Sequence, residues 1–118
     1  AIVRDHGKEL AAIVMEPIRN ERPSDEVLSG ARQLANEAGA VLVVDEISAG
    51  LRTNSGGAHL WLGLEPDIAV FSKALGNGYP IGAVIGKGSV MQAAQQGLSE
   101  QRVADPGRGD DEEAWHGN

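Results

Sequence analysis

The chain has 118 residues, 42% of them hydrophobic, and a formal net charge of −7 from 10 basic and 17 acidic side chains. That length supports one domain or part of one, and the acidic balance argues against a nucleic-acid partner, whose binders carry a basic patch. Cysteine is absent, which excludes disulfides and thiolate metal ligation; with no apolar run near about 18 residues and no basic start leading into an apolar segment, neither membrane contact nor a signal peptide is expected, and a soluble cytoplasmic protein is the default.

Ala1 to Leu10 is mixed and polar, with His6-Gly7-Lys8 reading as a turn or helix end. Ala11 to Met15, stopped by Glu16-Pro17, predicts a short buried strand, because proline cannot donate to a ladder. Arg19-Asn20-Glu21-Arg22-Pro23 is then loop. Ser24 or Asp25 is suited to cap a helix in which Val27, Leu28, Ala31, Leu34, Ala35 and Ala38 recur at helical spacing, with Gly39 as its left-handed end. Ala40 to Val44, rich in valine, predicts a parallel strand buried on both faces. Strand, helix and strand with short links form a βαβ unit, whose crossover is expected to be right-handed.

After Glu46 the pattern breaks into Ser48-Ala49-Gly50 and Asn54-Ser55-Gly56-Gly57, either a site-like loop or a simple turn. His59 to Leu64 is apolar, Glu65-Pro66-Asp67 is a turn, and Ile68 to Phe71 predicts a third buried strand. Lys73 follows it by two residues. Beyond Gly76-Asn77-Gly78-Tyr79-Pro80, Ile81 to Ile85 predicts a fourth strand, and Ser89 to Gln96 starts a helical pattern. Residues 97–118 hold 2 basic and 6 acidic side chains, a net of −4 against −3 for residues 1–96. Their apolar periodicity disappears, so a disordered tail is expected there.

An apolar strand ending in Asp45-Glu46 fits an ATPase magnesium site, provided that a phosphate loop is present. The nearest string, Gly82 to Gly88, has three residues between its glycines where that loop has four, and glycine where Ser or Thr belongs. Asp45 alone reads as a strand end or a cap, and Lys73 alone as a surface lysine. Set after Val70-Phe71-Ser72 and before glycines, Lys73 is expected to be partly desolvated, which favours the neutral, nucleophilic amine. One metal-free chemistry needs an Asp and a Lys at neighbouring strand ends. In pyridoxal phosphate catalysis the lysine forms a Schiff base with the aldehyde, while the carboxylate keeps the pyridine nitrogen protonated.

Several ordered strings carry a family likeness: Met15-Glu16-Pro17-Ile18, Val41 through Asp45-Glu46-Ile47 to Arg52, Gly56-Gly57-Ala58-His59, Glu65-Pro66-Asp67-Ile68, and Ser72-Lys73-Ala74-Leu75-Gly76 to Pro80-Ile81-Gly82-Ala83. Over about residues 10–92 the chain resembles the class III pyridoxal-phosphate aminotransferases, above all the glutamate-1-semialdehyde aminomutase branch. The resemblance implies that Lys73 is the catalytic Schiff-base lysine and proton carrier, that Asp45 binds the pyridine nitrogen, and that Ile47, two residues on and on the same face if the strand continues, packs against the ring. An ordinary core isoleucine would sit there as well. Asn20 resembles an asparagine that bonds the cofactor's phenolic oxygen, although its spacing from Glu16 is one residue shorter than in the aminomutase. Glu16 and His59 read as structural, and Arg52 as either a carboxylate partner or a solvated side chain.

The fold implied is α/β, the central piece of the fold-type I large domain. That domain is a three-layer α/β/α arrangement on a mostly parallel sheet, with an antiparallel strand allowed after Lys73. Residues 1–96 would be part of that domain and 97–118 the acidic, glycine-rich tail. The abrupt end of the likeness near Gln96 predicts a frameshift or gene-end origin for the tail, which the coding DNA tests. The resemblance also implies a transaminase or aminomutase that uses pyridoxal 5'-phosphate, acts on a small-molecule amino donor and acceptor, and is a homodimer at full length. The family's phosphate-binding turn, ring-stacking aromatic and small domain have no counterpart in these residues, so this piece alone is expected to show weak or no activity. The competing expectation is a non-catalytic truncated product or interaction module.

Overall fold

A computed structural model describes residues 2–104; the later part of the expected tail, residues 105–118, lies outside the described residues. A short helix α1 (Ile2–His6) and a 3-10 turn (Gly7–Glu9) lead into strand β1 (Ala12–Met15). Helix α2 (Asp25–Ala38) begins where Ser24 Oγ accepts from Val27 N at 3.4 Å, with Asp25 and Glu26 in its first turn, where acidic side chains meet the positive end of the helix dipole. It ends at Gly39 in the left-handed region, as the sequence predicts. Strand β2 (Val41–Asp45), helix α3 (Ala58–Leu62), strand β3 (Ile68–Phe71), a 3-10 turn (Lys73–Leu75) and strand β4 (Ala83–Gly86) complete a first unit that ends at Lys87. Helix α4 (Gly88–Ala104) belongs to a second unit and runs past Gln96, where the sequence reading starts the tail.

The sheet has the order β1-β2-β3-β4. The first three strands are parallel and the fourth is antiparallel, as expected for a large-domain piece with a reversed strand after Lys73. Ala12 pairs with Val41, Val43 with Ile68 and Phe71 with Ala83. The string Gly82 to Gly88 thus lies mostly within strand β4, not in a loop able to cradle phosphate.

Side chains alternate across a strand, and one face of the sheet carries the core. Leu42 and Val44 of β2 are fully buried, and cluster with Leu28 and Ala35 of α2, Leu62 of α3, and Leu64. Burial on that scale stabilises the fold by about 1.5–3 kcal/mol per large aliphatic side chain. The opposite face is more open. Val14 and Val84 are exposed and Val41, Val43 and Val70 only half-buried, so β2 is buried on one face where the sequence predicts two. The reason is that the helices packed on the sheet in this unit, α2 and α3, join the face of Leu42 and Val44.

Asp67, in the turn before β3, ties these elements together. Its Oδ2 accepts from Leu42 N at 2.8 Å and from Arg32 Nη1 at 2.9 Å, and its Oδ1 accepts from Lys87 Nζ at 2.7 Å. Burial pushes this carboxyl up, but the hydrogen bonds from Leu42, Lys87 and Arg32 and the Arg32 charge outweigh it and hold its pKa at about 2 against an ordinary 3.8.

Candidate active site

Because β1, β2 and β3 are parallel, their carboxyl ends lie along one edge of the sheet, the edge where open α/β sheets bind ligands. Three of the residues singled out from the sequence leave from that edge. Asp45 is the last residue of β2, Lys73 follows the end of β3, and Asn20 follows β1 in the loop before α2.

Asp45 sits opposite Val70 of β3 and is half-buried. Its Oδ1 accepts from Ile47 N at 2.9 Å, so the carboxylate is oriented by the turn that begins at its own residue. The other carboxylate oxygen has no hydrogen bond among the described residues. Lys73 crosses back to this turn, and its Nζ donates to Ser48 Oγ at 2.7 Å. The strand-end carboxylate and the amine are thereby joined through one loop.

Lys73 carries a backbone φ of 46°, in the left-handed region that side chains other than glycine seldom occupy. Such strain costs on the order of 1–3 kcal/mol and clusters at functional sites. The expected desolvation of Lys73 is not found. The residue is exposed, because it lies past the end of β3 on a 3-10 turn whose Ala74 and Leu75 are exposed too.

Ile47 differs from expectation in its surroundings. The premise that β2 continues through it does not hold, since the strand ends at Asp45 and residues 47–52 form turns, with Gly50 N donating to Glu46 O at 2.7 Å. Ile47 is half-buried on that turn. Asn20 and Arg52 are exposed, and neither has a hydrogen bond to Asp45 or Lys73 among the described residues. Glu16 is exposed and pairs only loosely with Arg19, at 3.9 Å.

The residue that organises the loop is Glu46, which is fully buried. Its Oε1 accepts from His59 N and meets His59 Nδ1, both at 2.7 Å, while Oε2 accepts from Ala58 N at 3.1 Å. Glu46 therefore satisfies the orphan amides at the start of α3 and fastens that helix to the end of β2. His59 has the structural role that its apolar neighbourhood predicts, and its ring lies 6.4 Å from that of Phe71. In the sequence Glu46 is read only as half of the acidic pair that ends the apolar run, yet its structural signal is plain. Leu42, Val44 and Glu46 share one strand face by period-2 alternation, and a glutamate on the core side needs donors.

Gly50 closes the turn on the same face. A Cβ there would lie 2.6 Å from Glu46 O and 2.8 Å from the Phe71 ring, so the backbone approach requires glycine. Gly50→Ala is expected to destabilise the fold by about 1–3 kcal/mol through overpacking, measured as a lower urea midpoint at unchanged slope.

An exposed primary amine and a carboxylate with one free oxygen, presented from adjacent strand ends, match the two poles of a pyridoxal ring, an aldehyde and a pyridinium N–H. The described residues fit that cofactor at these two positions.

Comparison with known proteins points to one family. The family description that the chain matches is "Aminotransferase class-III", over residues 1–106, which extends the likeness beyond Gln96. The glutamate-1-semialdehyde 2,1-aminomutase of Chloroflexus aurantiacus is 38% identical over 96 residues, covering 78% of this chain and 22% of the relative. That of Heliobacterium modesticaldum is 36% identical over the same coverage. Among solved structures, an omega-transaminase from Sphaerobacter thermophilus superposes with a TM-score of 0.71 at 33% identity, over 76% of this chain and 21% of that one. The FumI protein of Sphingopyxis sp. MTA144, solved in its PLP internal aldimine form, gives 0.72 at 35% identity over 78% and 24%. The chain thus spans about a fifth of the length of the curated relatives it matches, at 22%. A mixed sheet with three parallel strands, an Asp and a Lys at adjacent strand ends, and these matches lead to one conclusion: the chain belongs to the class-III aminotransferase family.

Proposed function

We propose that this chain holds pyridoxal phosphate between Asp45 and Lys73 and serves amino-group transfer, either between an amino acid or amine and a carbonyl compound or within one molecule. The observation that carries the reading is the link from Lys73 Nζ to Ser48 Oγ at 2.7 Å, which brings the amine of one strand end to the turn that orients the carboxylate of the next. Class-III aminotransferases work with this cofactor, which when bound supplies an aldehyde for amines and a pyridinium ring that takes up electron density.

In this reading the free oxygen of Asp45 accepts the pyridinium N–H and keeps that proton in place. Lys73 Nζ is the nucleophilic amine and, once released, the base that would move a proton between the substrate carbon and the former aldehyde carbon. Ile47 would pack against the ring and Asn20 would bond its phenolic oxygen. The latter role requires the β1–α2 loop to bring an exposed side chain inward. The full-length enzyme is proposed to be a homodimer, and turnover by these residues alone is expected to be weak or absent.

The test is chemical. The 118-residue chain is incubated with pyridoxal phosphate and cyanoborohydride, digested, and mapped by mass spectrometry. The adduct is expected on Lys73 in preference to Lys8 and Lys87, to be lost from that peptide in Lys73→Ala, and to fall at least about tenfold in Asp45→Asn, the factor for one charge-assisted hydrogen bond. Equal labelling of the three lysines in the wild type would defeat the reading.

A further inference from the structure

Ser48 has no part in the roles given so far, and its position calls for one. Its hydroxyl is the hydrogen-bond partner of the Lys73 amine among the described residues, at 2.7 Å and 25 positions away in sequence. The backbone that presents the hydroxyl is held in place. Ile47 N bonds Asp45 Oδ1 immediately before it, and Gly50 N bonds Glu46 O immediately after, so residue 48 sits in a turn closed from both sides. The same turn therefore orients the Asp45 carboxylate and sets the backbone from which the Ser48 hydroxyl reaches Lys73.

We propose that Ser48 is a positioning residue for Lys73, holding the amine at a set separation from Asp45 so that an aldehyde on a ring anchored at Asp45 meets it. This proposal rests on the cofactor reading above and adds to it the residue that sets the geometry. A lysine side chain has four rotatable bonds, and fixing them costs up to about 2 kcal/mol of entropy. The left-handed backbone of Lys73 fixes the direction in which the chain leaves, and the Ser48 bond fixes where it ends.

A hydroxyl suits this task better than a carboxylate. It accepts an N–H from the ammonium and from the neutral amine alike, which leaves the nitrogen lone pair free to attack once a proton is lost to solvent, and unlike a carboxylate it does not favour the charged form. Condensation then forms the bond from nitrogen to the aldehyde carbon and releases the carbonyl oxygen as water. Hydride from cyanoborohydride reduces the product to a secondary amine, which makes the event countable.

The experiment compares wild type, Ser48→Ala and Ser48→Thr, each labelled in parallel with pyridoxal phosphate and with propionaldehyde under cyanoborohydride, with the ratio of Lys73 to Lys8 adduct read by peptide mass spectrometry. Propionaldehyde has no ring to anchor at Asp45, so it reports access to the amine alone. Ser48→Ala is expected to lower the pyridoxal phosphate ratio about threefold to tenfold, the effect of one lost hydrogen bond, and not to lower the propionaldehyde ratio. Ser48→Thr, which keeps the hydroxyl, is expected to restore the first ratio. Two results overturn the role of Ser48 while leaving the cofactor reading intact: an unchanged pyridoxal phosphate ratio in Ser48→Ala, or a Thr variant that behaves like Ala. A parallel fall with both aldehydes also overturns it, since it marks a loss of structure or access. A wild type with no preference for Lys73 overturns both readings together.

Discussion

Replacing Glu46 with alanine is expected to destabilise the fold by about 3–5 kcal/mol, from three donors that lose their acceptor at about 1–3 kcal/mol each, less what relaxation recovers. The reason lies in what is left behind. Two backbone amides, of Ala58 and His59, and the His59 ring nitrogen lose their acceptor in a place from which water is excluded. Each unsatisfied buried donor costs about 1–3 kcal/mol, partly offset by relaxation or water entry. Glu46→Gln should be milder, at about 1–2 kcal/mol: one oxygen can still take the two donors at 2.7 Å, but the new amide then faces the N–H of Ala58. Equilibrium urea unfolding of the three proteins checks this, and a loss below about 1 kcal/mol in Glu46→Ala would show that the α3 amides find other partners. The loop from residues 47 to 57 hangs between Glu46 and α3, so loosening this bond should also blunt the preference for Lys73 in the labelling experiment.

The second large effect belongs to Asp67. Asp67→Ala removes acceptors from Leu42 N, Arg32 and Lys87 together, and leaves Arg32, whose Nε already lacks a partner, without its acid. Lys87 is half exposed and contributes little. The remaining bonds place the loss at about 2–4 kcal/mol. The pH dependence has a definite sign. The folded-state pKa of about 2 lies below the ordinary 3.8, so the stability contributed by Asp67 is complete above the ordinary value and is lost as pH falls through about 2. The difference in unfolding free energy between wild type and Asp67→Asn is therefore expected to shrink steadily from pH 5 toward pH 2. A difference that stays constant over that window would mean that the carboxylate charge is not what ties the turn to α2 and β4. Other carboxylates titrate in the same range, which is why the comparison with the variant, and not the wild-type slope, is the measurement.

Much of the fold was legible because local signals agreed with one another. Ser24 and Gly39 bound α2 at the places where a cap and a left-handed residue are needed, and the short apolar runs separated by proline and glycine became strands. The candidate site is marked in the sequence by two residues, Asp45 and Lys73, which the structure brings to adjacent strand ends, and by the likeness of the strings around them. What was not legible depended on long-range packing. Ile47 was placed on a continuing strand, but the Asp45 side chain captures the next-but-one amide and turns the chain. Lys73 was expected to be partly buried, because a run of apolar neighbours says nothing about what covers a turn beyond them. Glu46 and Ser48 follow the more conspicuous Asp45 in sequence, although parity alone puts Glu46 on the core side. Asp67 read as a simple turn residue, for its partners at positions 32, 42 and 87 are remote in sequence.

The order of strands in the sheet is the order of strands in the chain. Among the described residues no strand has to thread between two that are already paired, and each new one pairs with the one before it. Loop-closure entropy therefore enters in small steps, never as one long-range closure. The sheet that carries Asp45 and Lys73 can be laid down strand by strand, with β2 and its Asp45 able to pair with β1 before β3 brings Lys73 to the same edge.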